Sequence, residues 1–191
     1  MGEQNVQQAD ERRMRAFTRA LIQDIRALER MLSSDIFGEP VRHIGAEQEM
    51  FLVNASMAPA AKSIEILNSL KHPNLTTELA RFNLEANLTP QPFGGSCLSA
   101  MQRELDALVK VTRDAAHKHD ADVLLVGTLP TLRKADLELN NMTPMPRYAE
   151  LNRVLRQMRG GSFHVVIKGV DELEMEHDNV MLEACNTSFQ I

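Results

Sequence analysis

Apolar residues at Met14, Phe17, Leu21, Ile25, Leu28 and Leu32 recur at spacings of three and four. That period predicts one long amphipathic helix from about Gln8 to Phe37. "FGEP" closes it, with Gly38 at the C-cap and Pro40 barring continuation. A strand-like run follows from His43 to Val53 and ends in the loop "NASMAP"; the helix "AAKSIEILNSLK" comes next and stops at "HPN". In "RFNLEANLT" the pattern changes to strict alternation. Phe82, Leu84, Ala86 and Leu88 face one way, and Asn83, Glu85, Asn87 and Thr89 the other.

"PQPFGGSC" reads as a turn with Ser96 as N-cap of the helix "CLSAMQRELDALVKVTRDAAHKH", which carries Leu98, Met101, Leu105, Leu108 and Val109 on one face. "ADVLLVGTLPTL" predicts a short, fully buried strand closed by Pro130, and "RYAELNRVLRQM" a further helix after the loop "LELNNMTPMP". "SFHVVIKGV" and "VMLEACNTSFQI" predict two strands joined by the acidic turn "DELEMEHD". Strands interspersed with helices, several of them alternating, imply an α+β fold: a mixed or antiparallel sheet with helices on one side. The last run keeps strand character to Ile191 without a cap or polar tail, which reads as a chain cut short inside a strand.

Composition narrows the function. The 191 residues allow one sizeable domain, and 43% hydrophobic with 25% charged residues is the make-up of a soluble globular protein. A net charge of -5 argues against nucleic-acid binding, because phosphate contacts need clustered Lys and Arg. The basic stretch "ERRMRAFTR" alternates with acids and apolar residues and reads as a solvated helix face. There is no apolar run of membrane-spanning length and no hydrophobic signal core, and Val6 breaks the myristoylation pattern. Two distant cysteines, Cys97 and Cys185, fit small hydrophobes in a reducing cytoplasm.

The candidate chemistry is acidic. Glu47 and Glu49 share a face of one strand, two like charges side by side in an apolar run. Glu85 stands on the polar face of the alternating strand, with Glu78 seven residues earlier. Either these are solvated strand faces, or carboxylates from adjacent strands build a platform for Mg²⁺, a hard cation that prefers oxygen ligands. "DELEMEHD" reads as a solvated turn. The six histidines are scattered; His117 and His119 do not share a helix face. No phosphate-binding glycine loop, no GxGxxG and no nucleophilic triad spacing occurs.

Taken in order, the motifs resemble the glutamate–cysteine ligase superfamily, in its carboxylate–amine ligase (GCS2-type) branch. The family opens on a strand of the form G-[IV]-E-x-E-x-x-L-V, which "IGAEQEMFLV" is similar to. "TELARFNLEANLTPQP" matches its acid seven positions before a strand Glu and a Thr-Pro turn, through Glu78, Glu85, Thr89 and Pro90. "VGTLP" resembles its buried strand ending in G-[ST]-x-P, "PRYAELNRVL" its Arg-Tyr helix, and "ACNTSFQI" the lead-in to its metal-binding His segment. The match runs from about Arg42 to Ile191, the first half of the family's catalytic domain. Some members have Asp where Glu78 stands, and the segment from Gly160 to Ala184 looks longer than the family's usual connection.

The resemblance implies a glutamine-synthetase-like antiparallel curved sheet, incomplete here, with residues 1–38 as a helical extension and 39–191 as the N-terminal part of a ligase domain. It implies ATP and Mg as cofactors, with Glu47, Glu49, Glu78 and Glu85 as metal ligands and Arg147 and Tyr148 binding substrate. The activity implied is ATP-dependent joining of glutamate's side-chain carboxylate to an amine such as cysteine through an acyl phosphate, in the cytoplasm and on small-molecule substrates alone. The fragment by itself is expected to be inactive. The alternative is a degenerate member that binds a metabolite or partner and regulates rather than catalyses, an idea the extra N-terminal helix supports; being amphipathic, that helix is expected to pack on the outside of the domain or on another copy of itself.

Overall fold

A computed structural model describes residues 11–37 and 41–191. The elements run in the order α1 (Glu11–Leu32), β1 (His43–Ile44), β2 (Glu47–Val53), α2 (Ser63–Leu70), β3 (Leu75–Thr77), β4 (Asn83–Asn87), β5 (Gln91–Pro92), α3 (Cys97–Ala116), β6 (Asp122–Leu124), α4 (Pro146–Arg159), β7 (Phe163–Lys168), β8 (Glu172–His177) and β9 (Phe189–Gln190). The fold is α+β and its strand pairs are antiparallel. The central sheet has the order β3-β4-β2-β6, with β9 also pairing to β2. No helix among the described residues is long and apolar enough to cross a membrane.

β2 organises the molecule because its two faces are both needed. Met50 and Leu52 point into one core with Leu84, Ala86, Ile66 of α2 and Met101 and Leu108 of α3. Phe51 and Val53 point into a second core with Phe82, Leu129, Val180, Met181 and Tyr148 of α4. Each wholly buried residue of this kind stabilises the fold by about 1.5–3 kcal/mol over its exposed form. α2 and α3 cover one face as expected, whereas α4 lies with short 3-10 turns on the other. The loop after β2 follows its composition: Asn54 Oδ1 accepts from Ser56 N at 3.0 Å, Ser56 Oγ at 2.7 Å and Ala58 N at 3.1 Å.

Several expectations change. The long helix ends as α-helix at Leu32 and continues as a 3-10 turn over Asp35–Phe37; Gly38, Pro40 and the residues before Glu11 lie outside the described residues. No residue of α1 is buried, so Phe17, Leu21, Ile25 and Leu28 form an exposed apolar stripe. The first strand divides at Gly45-Ala46, because β1 leaves the main sheet to pair with β5. Phe82 precedes β4 and joins the second core, where its ring centre lies 6.3 Å from that of Phe51. Ser96 sits at the N-cap of α3 without a side-chain cap bond; α3 is tied instead through Glu104, whose Oε1 accepts from Thr89 Oγ1 at 2.7 Å.

β6 is a short strand at one end of the sheet order, with Asp122 and Leu125 exposed, so it is not the fully buried strand its composition implied. The acidic stretch is not a turn. It forms β8, which pairs with β7 in a separate hairpin, and "VMLEAC" is a 3-10 helix. Both faces of that hairpin are largely exposed, so an alternation of acids with Leu173 and Met175 satisfies it.

Candidate active site

The site grows from the register of β2 on β4. Glu49 lies directly opposite Glu85, and Glu47 opposite Asn87. Alternation sends all four side chains, and Asn83, to the face away from α2 and α3. Glu78 comes from the turn between β3 and β4, which is held by Thr143: its Oγ1 donates to the Glu78 carbonyl at 2.6 Å and its N–H to the Leu79 carbonyl at 2.8 Å. Three carboxyls from three segments, Glu49, Glu78 and Glu85, thus face one another.

Their electrostatics decide their state. Burial, a side-chain hydrogen bond to Glu85, and the charges of Glu85 and Glu49 push the Glu78 carboxyl from 4.5 up to about 8, against the Leu79 N–H that favours its anion. At neutral pH Glu78 therefore keeps its proton and adds no negative charge beside Glu85 and Glu49. Glu85 Oε1 also accepts from Asn87 Nδ2 at 2.5 Å. Glu49 is engaged elsewhere: its Oε2 accepts from Ser188 N at 2.7 Å and Ser188 Oγ at 3.1 Å, and its Oε1 from Gln190 Nε2 at 3.3 Å. Glu47 borders a separate, wider hollow of about 630 Å³ with Asn74, Asn87 and Gln190.

Arg147 and Tyr148 enter from the first turn of α4, where Pro146 starts the helix. Arg147 Nη2 donates to the Thr77 carbonyl at 3.3 Å and to the Tyr148 hydroxyl, and its guanidinium carbon lies 4.4 Å from the Tyr148 ring centre. Tyr148 OH donates to the same carbonyl at 3.2 Å. Burial and the neighbouring Glu78 charge raise the Tyr148 phenol. Both residues share a hollow of about 380 Å³ with Thr76, Glu78 and Glu85. The structure thus gathers Glu49, Glu78, Glu85, Arg147 and Tyr148 around one wall, with Glu47 at its margin.

On the other side of Glu78 is a cavity of about 190 Å³, lined by Glu49, Glu78, Asn83, Glu183, Asn186, Thr187, Ser188 and Gln190 among others. Asn83, Glu183 and the 186–190 stretch were missed from sequence as site residues. Asn83 carried one signal, its place on the polar face two residues before Glu85; Glu183 and the stretch after it reach the site only through tertiary contacts. Thr187 and Asn186 are pinned to the chain after β6: Thr187 N donates to the Gly127 carbonyl at 2.8 Å, and Thr128 Oγ1 donates to Asn186 Oδ1 at 2.9 Å.

Among the described residues no group of three or more His, Cys, Asp or Glu has the geometry of a ready metal cage. The donor set nevertheless suits a hard cation held in an open site: the nearby donors are carboxylate and amide oxygens. Mg²⁺ is commonly held by one or two carboxylates, with waters and phosphates completing the shell. The two cysteines are free, Cys97 buried and Cys185 half-buried.

The sequence model of a family described as glutamate-cysteine ligase family 2 (GCS2) matches residues 43–187. No curated protein and no solved structure matches the chain.

Proposed function

The chain belongs to glutamate-cysteine ligase family 2, and from that premise we propose that it serves an ATP- and Mg²⁺-dependent ligation of glutamate's side-chain carboxylate to an amine such as cysteine. The observation that carries the reading is the facing pair Glu49–Glu85 with Glu78 bonded to Glu85, next to the Arg147 guanidinium. Joining two anions requires positive charge where phosphate and carboxylate meet, and a wall of acids beside one Arg provides for a cation and an anion together.

In this reading Glu78 and Glu85 hold Mg²⁺, with Glu49 and Glu47 as the further carboxylates within reach of the wall. The chemistry Mg²⁺ supplies when bound is neutralisation of phosphate charge and alignment of the reacting groups. Arg147 binds an anionic group, its guanidinium oriented by the Thr77 carbonyl and the Tyr148 ring. A carboxylate oxygen of glutamate attacks the terminal phosphorus of ATP, ADP leaves, and an acyl phosphate forms. The amine nitrogen then attacks the acyl carbon, the C–N bond forms as phosphate leaves, and the nitrogen's extra proton passes to solvent. The protein's part is positioning and electrostatic stabilisation.

The test is MgATP binding followed by calorimetry. Glu85→Gln is expected to weaken MgATP binding at least tenfold. MgATP binding by Glu85→Gln equal to that of the unmodified chain overturns the assignment.

A further inference from the structure

We propose that α1 is a self-association surface: its apolar stripe pairs antiparallel with the same stripe on a second copy of this chain. The inference is independent of the ligase reading and concerns assembly.

Helix physics asks for a partner. A 22-residue helix without packing is marginal in water, and most helical stability in proteins comes from covering an amphipathic face. No residue of α1 is buried. Met14, Phe17, Leu21, Ile25, Leu28 and Leu32 each keep 45–69% of their surface in solvent, and their spacing puts them on one side of the helix. At about 100 Å² each they offer about 600 Å² per copy, so two copies cover about 1,200 Å², the lower bound of a specific interface. The stripe is also its own complement. A two-fold axis between Leu21 and Ile25 sets Leu21 beside Ile25 of the second copy, Phe17 beside Leu28, and Met14 beside Leu32. All six apolar positions are then matched.

Charge selects the partner and its direction. Residues 11–21 hold Arg12, Arg13, Arg15 and Arg19 against Glu11, a net +3. Residues 22–37 hold Asp24, Glu29 and Asp35 against Arg26 and Arg30, a net -1. Antiparallel pairing lays the basic end of one copy on the acidic end of the other. Parallel pairing would stack two basic ends and also bring two acidic bodies together, since the chain is net -5 and most of its acids lie outside α1. The same acids set the body against a negatively charged lipid surface, which the arginines alone would favour.

The experiment is sedimentation equilibrium of the whole chain from about 1 to about 100 µM, in which the mean mass is expected to climb toward twice the 21.5 kDa of one chain. Leu21→Gln combined with Ile25→Gln keeps good helix formers on an exposed face. The double variant is expected to weaken association about tenfold or more while the thermal midpoint stays within about 2 °C. A nitroxide at Glu11→Cys, with Cys185→Ser removing the half-buried thiol, reads the direction. Antiparallel copies hold the two labels about 36 Å apart along the axis, and parallel copies hold them under about 20 Å apart. A mass that stays at one chain throughout, association that the double Gln variant leaves intact, or the shorter label distance overturns the proposal. So does flotation with phosphatidylserine vesicles that depends on Leu21 and Ile25 in a chain that stays single.

Discussion

Replacing Glu78 by Gln isolates the cost of crowding three acids on one wall. Gln keeps the shape of the protonated carboxyl and can still donate to Glu85, but it cannot ionise. In the metal-free protein the Glu78 carboxyl titrates at about 8 rather than 4.5, chiefly through burial and then through its bond to Glu85. Below pH 4.5 the folded and unfolded chains both hold that proton. Between 4.5 and about 8 the unfolded chain releases it while the folded one keeps it, so stability falls as pH rises, and above 8 the loss levels off. At about 1.36 kcal/mol per unit the rise corresponds to at most about 5 kcal/mol, and partial solvation of the ionised form recovers about half, leaving about 2 kcal/mol. Urea unfolding in EDTA from pH 5 to pH 9 reads this out as the stability of Glu78→Gln minus that of the unmodified chain. The difference is expected near zero at pH 5 and about 2 kcal/mol in favour of Gln at pH 9. A flat difference, or one that favours Glu at high pH, refutes the reasoning.

Phe51→Ala is expected to cost about 3–5 kcal/mol by urea denaturation, since Phe51 is fully buried against Phe82 on the central strand; a loss below about 1 kcal/mol contradicts the second core. Tyr148→Phe removes a donor to the Thr77 carbonyl and an acceptor for Arg147, and is expected to lower stability by about 1 kcal/mol in the same assay. A chain shortened to residues 41–191 should keep its thermal midpoint within about 2 °C, because α1 contributes no buried residue; a drop of about 5 °C or more would show that α1 covers the body.

Much of this architecture follows from local pattern. The alternation in "NLEAN" places Glu85 opposite the apolar Leu84 and Ala86, and the strand pairing then sets it against Glu49. The amphipathic periods of α2, α3 and α4 appear as helices close to their expected positions. Other features depend on partners that local pattern does not report. β8 is a strand only because β7 lies beside it and solvent takes its acids. Phe82 leaves the alternation because β4 starts one residue later and Phe51 stands ready on the other face. Glu78 meets Glu85 because Thr143, far along the chain, holds its turn. Asn83 looks like any polar strand residue until the packing around it leaves its amide without company.

The engagement of Glu49 has a consequence of its own. Its two oxygens are occupied by Ser188 and Gln190, so any cation that recruits this carboxylate must first dislodge a clasp on the last strand. Occupancy of the acidic wall and the tether of residues 188–190 then become competing uses of one side chain. Amide exchange at Ser188 would quicken whenever the wall is filled.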